Sequence, residues 1–135
     1  MKMLLAVDGS QTSLHAVRHA LALVAQGLPA SFVLANVQVP PNLYEVVTAH
    51  DPEVLREVRG AAGADLLAAA EALLDAAGVD YESEVAGGEP AHLIIEQAEN
   101  YGCDAIVLGA GENVALAVLA ASPVPVTVVP GPPLD

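Results

Sequence analysis

Near the C-terminus, two apolar runs, Ala105-Ile106-Val107-Leu108 and Val126-Thr127-Val128-Val129, are joined by very little chain. Gly109-Ala110-Gly111 follows the first run, and only Glu112 to Ser122 remains before Pro123-Val124-Pro125 opens the second. A helix of about 11 residues is roughly 16 Å long. A five-residue strand that it must run back along is also roughly 16 Å long. The segment therefore reads as strand, tight turn, return helix and strand. No residues are left over for a loop that wraps a chain of phosphates.

The rest of the chain alternates in the same way. Met3–Val7 is continuously apolar, as a parallel strand buried on both faces should be. Thr12 or Ser13 can cap a helix that carries Leu14, Val17, Leu21 and Val24 and runs to about Gln26, with Gly27 closing it. Ser31–Val39 reads as the second strand, ended by Pro40-Pro41; Leu43–His50 is ambiguous. Asp51-Pro52 pairs an N-cap with a first-turn proline, and the helix that follows runs toward Ala77 and stops at Gly78. Val79–Val85 alternates, which marks a half-exposed strand near a sheet edge. Gly87-Gly88-Glu89-Pro90 then leads into a helix with Leu93, Ile94, Ala98 and Tyr101 on one side.

Five strands separated by helices specify an α/β fold, a doubly wound five-stranded parallel sheet, because crossovers are right-handed and both faces need cover. With the first and fourth helices on one face, the order is 3-2-1-4-5, and strands one and four meet at the switch point. Asp8 and Gly109 would line the crevice there, and Asp104 would lie at the opposite end of the sheet. A chain of 135 residues with 54% apolar content suits a single core. Residues 1–130 read as one domain and 131–135 as a short tail.

Seventeen acidic residues against four basic ones give a formal charge of −13, with no basic stripe. Such a field repels phosphate backbones, so nucleic acid is not an expected partner. The longest apolar runs are too short to span a membrane, and no signal pattern opens the chain. The single cysteine, Cys103, fits a reducing, cytoplasmic location.

Asp8-Gly9-Ser10 is the leading candidate site. An acid at a switch-point strand end can accept hydrogen bonds from a base or ribose; the same acid can simply fix the turn. Gly109-Ala110-Gly111-Glu112-Asn113-Val114 imitates a dinucleotide fingerprint, but Val114 stands at its third glycine position and Glu112 puts a carboxylate where a pyrophosphate belongs. His15 and His19 share a helix face without a further ligand at a convincing spacing, so no metal is expected. Cys103 precedes a buried strand and has no local base, which suits a packed thiol. No nucleophile elbow, P-loop or receiver-type acid cluster is present, and no catalytic residue is assigned.

The order of these pieces resembles the universal stress protein family over nearly the whole chain. The resemblance is carried by Leu4-Leu5-Ala6-Val7-Asp8-Gly9-Ser10, Val33-Leu34-Ala35-Asn36-Val37, Gly88-Glu89-Pro90-Ala91, Asp104-Ala105-Ile106-Val107-Leu108-Gly109 and Ser122-Pro123-Val124-Pro125-Val126-Thr127-Val128-Val129. It implies a Rossmann-like, adenine nucleotide hydrolase-like fold and a homodimer, and many members bind ATP in the crevice. By motif match, Asp8, with Gly9 and Ser10, would lie near adenine and ribose, Val37 would meet adenine through its backbone, and Gly109 and Gly111 would begin the phosphate loop.

ATP-binding members continue from the first of these glycines through two residues to a second glycine, and then, about nine further, to a Gly-Ser or Gly-Thr pair. Here the corresponding position is Glu112, and the Gly-Ser pair has no counterpart. The implied function is a non-enzymatic, cytoplasmic stress-response module that lacks tight ATP binding, needs no cofactor and acts through a protein partner. The competing reading is a sensor of ATP, AMP or adenosine that uses Asp8 and Val37. An uncharged edge strand, Val126, Thr127, Val128 and Val129, would pair antiparallel with its symmetry mate.

Overall fold

Met3, Leu4 and Leu5 are all buried although successive side chains point to opposite faces of the sheet. A strand apolar on both sides can only sit at the centre of a covered sheet. The computed structural model describes residues 1–8, 10–38, 67–110 and 112–131. It places β1 (Lys2–Ala6), α1 (Gln11–Ala25), β2 (Ser31–Gln38), a helical segment α2 over 67–77, β3 (Tyr81–Gly87), α3 (Pro90–Asn100), β4 (Ala105–Gly109), α4 (Glu112–Ala121) and β5 (Val126–Val129). Every strand pair is parallel, and the order is β3-β2-β1-β4-β5. Expectations on Gly9, Leu43–His50, the Asp51-Pro52 cap, the start of the long second helix and Gly111 lie outside the described residues.

The order is as the sequence implies, but the helices are distributed differently. Leu14, Val17, Leu67, Ala70 and Leu74 share one core cluster, so α1 and α2 cover one face. Ala91, Ile94, Ala98, Ala115 and Val118 share the other, so α3 and α4 cover the second face. The expectation that the first and fourth helices lie together is therefore wrong. Right-handed crossovers explain why. The chain steps outward from β1 through β2 to β3, then jumps back past β1 to β4 and β5, and the reversal of direction switches faces. Phe32, Leu4, Leu5, Leu34 and Ile106 are fully buried in these layers, each contributing about 1.5–3 kcal/mol relative to exposure.

Helix ends follow from local chemistry. Gly27 takes a positive φ of 112° and its N–H donates to the Val24 carbonyl, while the Leu28 N–H reaches Leu23; the double bond closes α1. Gly78 and Gly102 close α2 and α3 with the same pairing. At the start of α1 the cap is Ser10, whose hydroxyl accepts from the Ser13 N–H at 3.1 Å, and not Thr12 or Ser13 as the sequence suggests. The helix begins two residues earlier because Ser13 is buried and returns its own hydroxyl proton to the Ser10 carbonyl.

The N-terminal end of the sheet is closed by Asp104. Its carboxylate accepts from the Lys2 N–H at 2.9 Å, and its own N–H donates to the Lys2 carbonyl at 2.7 Å. Its role is structural, as its position implies. Cys103 is buried, and that burial pushes its thiol pKa up.

Candidate functional site

The crevice forms where β1 and β4 separate their outgoing connections, on the face covered by α3 and α4. Ala6, Asp8, Val37, Leu108 and Ala110 form its floor, Pro90 and Ile94 of α3 one wall, and Val114 and Ala115 of α4 another. Ser10, Thr12 and Gly109 lie at its rim, and the cavity holds about 470 Å³. The structure thus brings Asp8, Ser10, Val37 and Gly109 together around one space. Gly9 and Gly111 are outside the described residues.

Most of the lining escapes a motif reading because it is aliphatic. Leu108, Ile94, Val114 and Ala115 look like core in a sequence. Strand parity was the available signal for the floor: Ala6 and Asp8 share one face of β1, as Leu108 and Ala110 do beyond β4.

Part of the polar end of the crevice is bonded by the chain's own groups. The Asp8 carboxylate accepts from the Ser10 N–H at 2.9 Å, and the Asp8 N–H faces the Ser13 hydroxyl at 3.4 Å. Partial desolvation pushes the Asp8 carboxyl pKa up, but bonds from the Ser10 hydroxyl, the Ser10 backbone and Ser13 outweigh it and hold it below the ordinary value. At α3, the Glu89 carboxylate accepts from the Ala91 and His92 N–H groups at 3.2 and 2.7 Å. A helix N-terminus is a natural anion seat. Here two of them carry internal carboxylates, and Glu112 stands at the first position of α4. Among the described residues lining the crevice there is no Lys or Arg.

The connection after β4 is two residues long, Ala110 and Gly111, before α4 begins. The Ala110 N–H donates to the Val129 carbonyl at 2.7 Å, so it is committed to the β5 side of the sheet. Gly109 has a packing reason to be glycine. A Cβ there would stand 2.7 Å from the Thr12 Cγ2 and 2.9 Å from the Thr12 carbonyl oxygen. His15, half-buried, pairs its Nδ1 with the Pro130 carbonyl at 2.9 Å, while His19 is exposed. No group of three His, Cys, Asp or Glu gathers among the described residues. Asn36, buried on β2, donates to the Val7 carbonyl at 2.7 Å and so fixes the end of β1 just before Asp8.

Asp8 carries a pH-dependent part of the stability. A carboxyl whose folded pKa is depressed stabilises fully above its unfolded value, about 4, and loses that contribution as pH falls through the folded value. Replacing Asp8 with alanine should cost about 1 kcal/mol at neutral pH. Urea unfolding at about pH 7 and about pH 3 should show the gap from the parent shrinking in acid; a constant gap would contradict the assigned bonds.

Residues 1–130 match the universal stress protein family. Hypothetical protein MJ0577 superposes with a TM-score of 0.80 at 22% identity, over 98% of this chain and 97% of its own. A universal stress protein family member from Burkholderia pseudomallei gives 0.77 at 27% identity over 96% of each chain. A family protein from Arabidopsis thaliana, solved with AMP bound, gives 0.74 at 19% identity over 98% of this chain and 92% of its own. No curated protein matches the chain. Among the described residues no helix is long and apolar enough to cross a membrane.

Proposed function

The chain belongs to the universal stress protein family, and we propose that it is a dimeric, non-catalytic stress-response module of the cytoplasm whose crevice has no grip for a triphosphate. The observation that carries this reading is the two-residue connection between β4 and α4. Where a phosphate loop would need to run, α4 supplies Val114 and Ala115 as an apolar wall. The helix N-termini beside the crevice carry Asp8 and Glu89 on their own amides, and a triphosphate entering would face a chain of charge −13. Calorimetric titration with ATP should give no saturable heat corresponding to a dissociation constant below about 10 μM, near −7 kcal/mol. Tighter binding would defeat the reading.

The proposed dimer joins copies through β5. This strand is a sheet edge, and Thr127 and Val128 are exposed on it. Val129 contributes neither side chain nor backbone to the pair, because its side chain is buried against α1 and its carbonyl accepts from the Ala110 N–H on the β4 side; the backbone groups of Val126 and Val128 are the ones that turn outward. Leu116 and Leu119 stand exposed on α4, on the same face of the sheet as Val128. From Asn113 to Leu134 the sequence carries no charge, so a second copy of so acidic a chain can meet this stretch without local repulsion.

The second reading, an adenine or adenosine sensor, is favoured by one feature. Asp8 and Val37 still face the same cavity, and a relative of the same fold was solved with AMP bound. Co-purified adenine would be plain near 260 nm in a protein with no Trp and three Tyr.

A further inference from the structure

With phosphates set aside, the crevice still has a size and a polarity of its own. Its volume, about 470 Å³, falls within the about 300–1,000 Å³ usual for small-molecule sites. Val37, Pro90, Ile94, Leu108 and Val114 give it aliphatic walls. Asp8 is the one ionisable side chain among its described lining residues, and it is exposed, so an incoming molecule can touch it.

Donors at the polar end are spent within the chain. The Ser10 N–H goes to the Asp8 Oδ1 at 2.9 Å, and the Ser13 N–H to the Ser10 hydroxyl oxygen at 3.1 Å. The Ser13 hydroxyl donates to the Ser10 carbonyl at 3.0 Å, and the Ala110 N–H to Val129. The Ser10 and Thr12 hydroxyls at the rim can accept as readily as donate. The Asp8 Oδ2 has no partner within bonding distance among the described residues. Partial desolvation works against the Asp8 charge, but the bonds from Ser10 and Ser13 prevail and keep it ionised at neutral pH. An incoming head group therefore meets a reachable negative charge at the end of an aliphatic cavity.

We propose that the crevice binds a protonated amine on a compact apolar body, its ammonium at the Asp8 carboxylate and its body against Val37, Ile94 and Leu108. This rests on the reading of the crevice as one without a grip for a triphosphate, and it names the ligand class such a crevice takes. An ammonium has three donors and no acceptor, the complement of the Asp8 Oδ2 and the hydroxyl oxygens beside it. The field of a chain of charge −13 draws cations toward the opening. A carboxylate or phosphate head would meet the Asp8 charge instead.

The test is a methyl NMR titration of the whole chain with phenethylamine, phenethyl alcohol and phenylacetate, which share one body and differ in the head. Saturable shifts at the Ile94, Leu108 and Val114 methyls are expected with the amine. It should bind about fivefold or more tighter than the alcohol, the upper range for a half-exposed ion pair, and phenylacetate should not saturate. Asp8→Asn keeps an oxygen for the Ser10 N–H and should bring amine and alcohol within about twofold of each other. Asp80→Asn removes the same charge just before β3, at the other end of the sheet, and should change the amine affinity less than about twofold. The order of the three heads on the parent chain is a test that needs neither variant. Equal weakening by both variants would mean diffuse attraction to an acidic surface and would overturn the proposal. Alcohol binding as tightly as amine, or saturation by phenylacetate, would overturn it too. ATP in the same series separates the two readings: saturation below about 10 μM defeats the crevice without a triphosphate grip, whereas silence from ATP with equal amine and alcohol defeats the amine alone.

Discussion

Val128→Lys should turn a dimer into a monomer, lowering the light-scattering mass at micromolar concentration from twice 13.7 kDa to 13.7 kDa. Val128 is 36% exposed in the single chain, so a lysine there can reach water without disturbing the core. In the proposed pair the same ammonium would be trapped against a second uncharged edge, and its mate would carry another. Burying an unpaired charge at an interface costs about 2–5 kcal/mol, enough to raise the dimer dissociation constant at least about thirtyfold. Circular dichroism should be unchanged, since β5 keeps its ladder to β4 from Ile106–Val126 to Gly109–Val129. A parent protein that is already monomeric, or a lysine variant that stays dimeric, would contradict the proposed edge.

Gly109→Ala should destabilise the fold by about 1–3 kcal/mol, the usual cost of forcing a methyl into filled space. The reason lies in Thr12, which is wedged between the end of β4 and the tail after β5. A Cβ at Gly109 meets its Cγ2 at 2.7 Å and its backbone carbonyl at 2.9 Å; a Cβ at Gly131 would meet its Oγ1 at 2.8 Å. A side-chain methyl can rotate away, but the carbonyl belongs to the first turn of α1 and moves only with the helix. Combining Gly109→Ala with Thr12→Ser removes the Cγ2 clash alone, so it should recover part of the loss and not all of it. Thermal or urea unfolding reads both. A neutral Gly109→Ala would remove the packing reason for glycine and leave a ligand as its reason for being there.

Gly109 also shows where sequence reading reaches its limit. The resemblance makes it the first residue of a phosphate loop, while in the fold α1 already fills the space its side chain would need. Burial on both faces leaves a composition signature in Met3–Leu5 and Ala105–Leu108, which marks β1 and β4 as central strands; the full order agrees with the structure although the helix placement used to reach it does not. Which helices share a face could not be read from the sequence, since it depends on the direction of each crossover and not on any helix's own periodicity. From the sequence the cap of α1 falls at Thr12 or Ser13, passing over Ser10, because three hydroxyl residues, Ser10, Thr12 and Ser13, lie within four positions, and only the burial of Ser13 decides among them. The crevice walls were hidden for a different reason: Ile94, Val114 and Ala115 carry no chemistry that distinguishes a ligand-facing side chain from a core one.

The crevice is tested most directly by one quantity, the change in binding free energy for each phosphate added to an adenine nucleoside. Calorimetric titration with adenosine, AMP and ATP under one buffer measures it. With Ala110 committed to Val129, Asp8 and Glu89 on the helix amides and no basic side chain among the described lining residues, each phosphate should add nothing or weaken binding. An affinity that rises about tenfold or more from adenosine to ATP, about 1.4 kcal/mol, would mean that the short connection holds the phosphates after all.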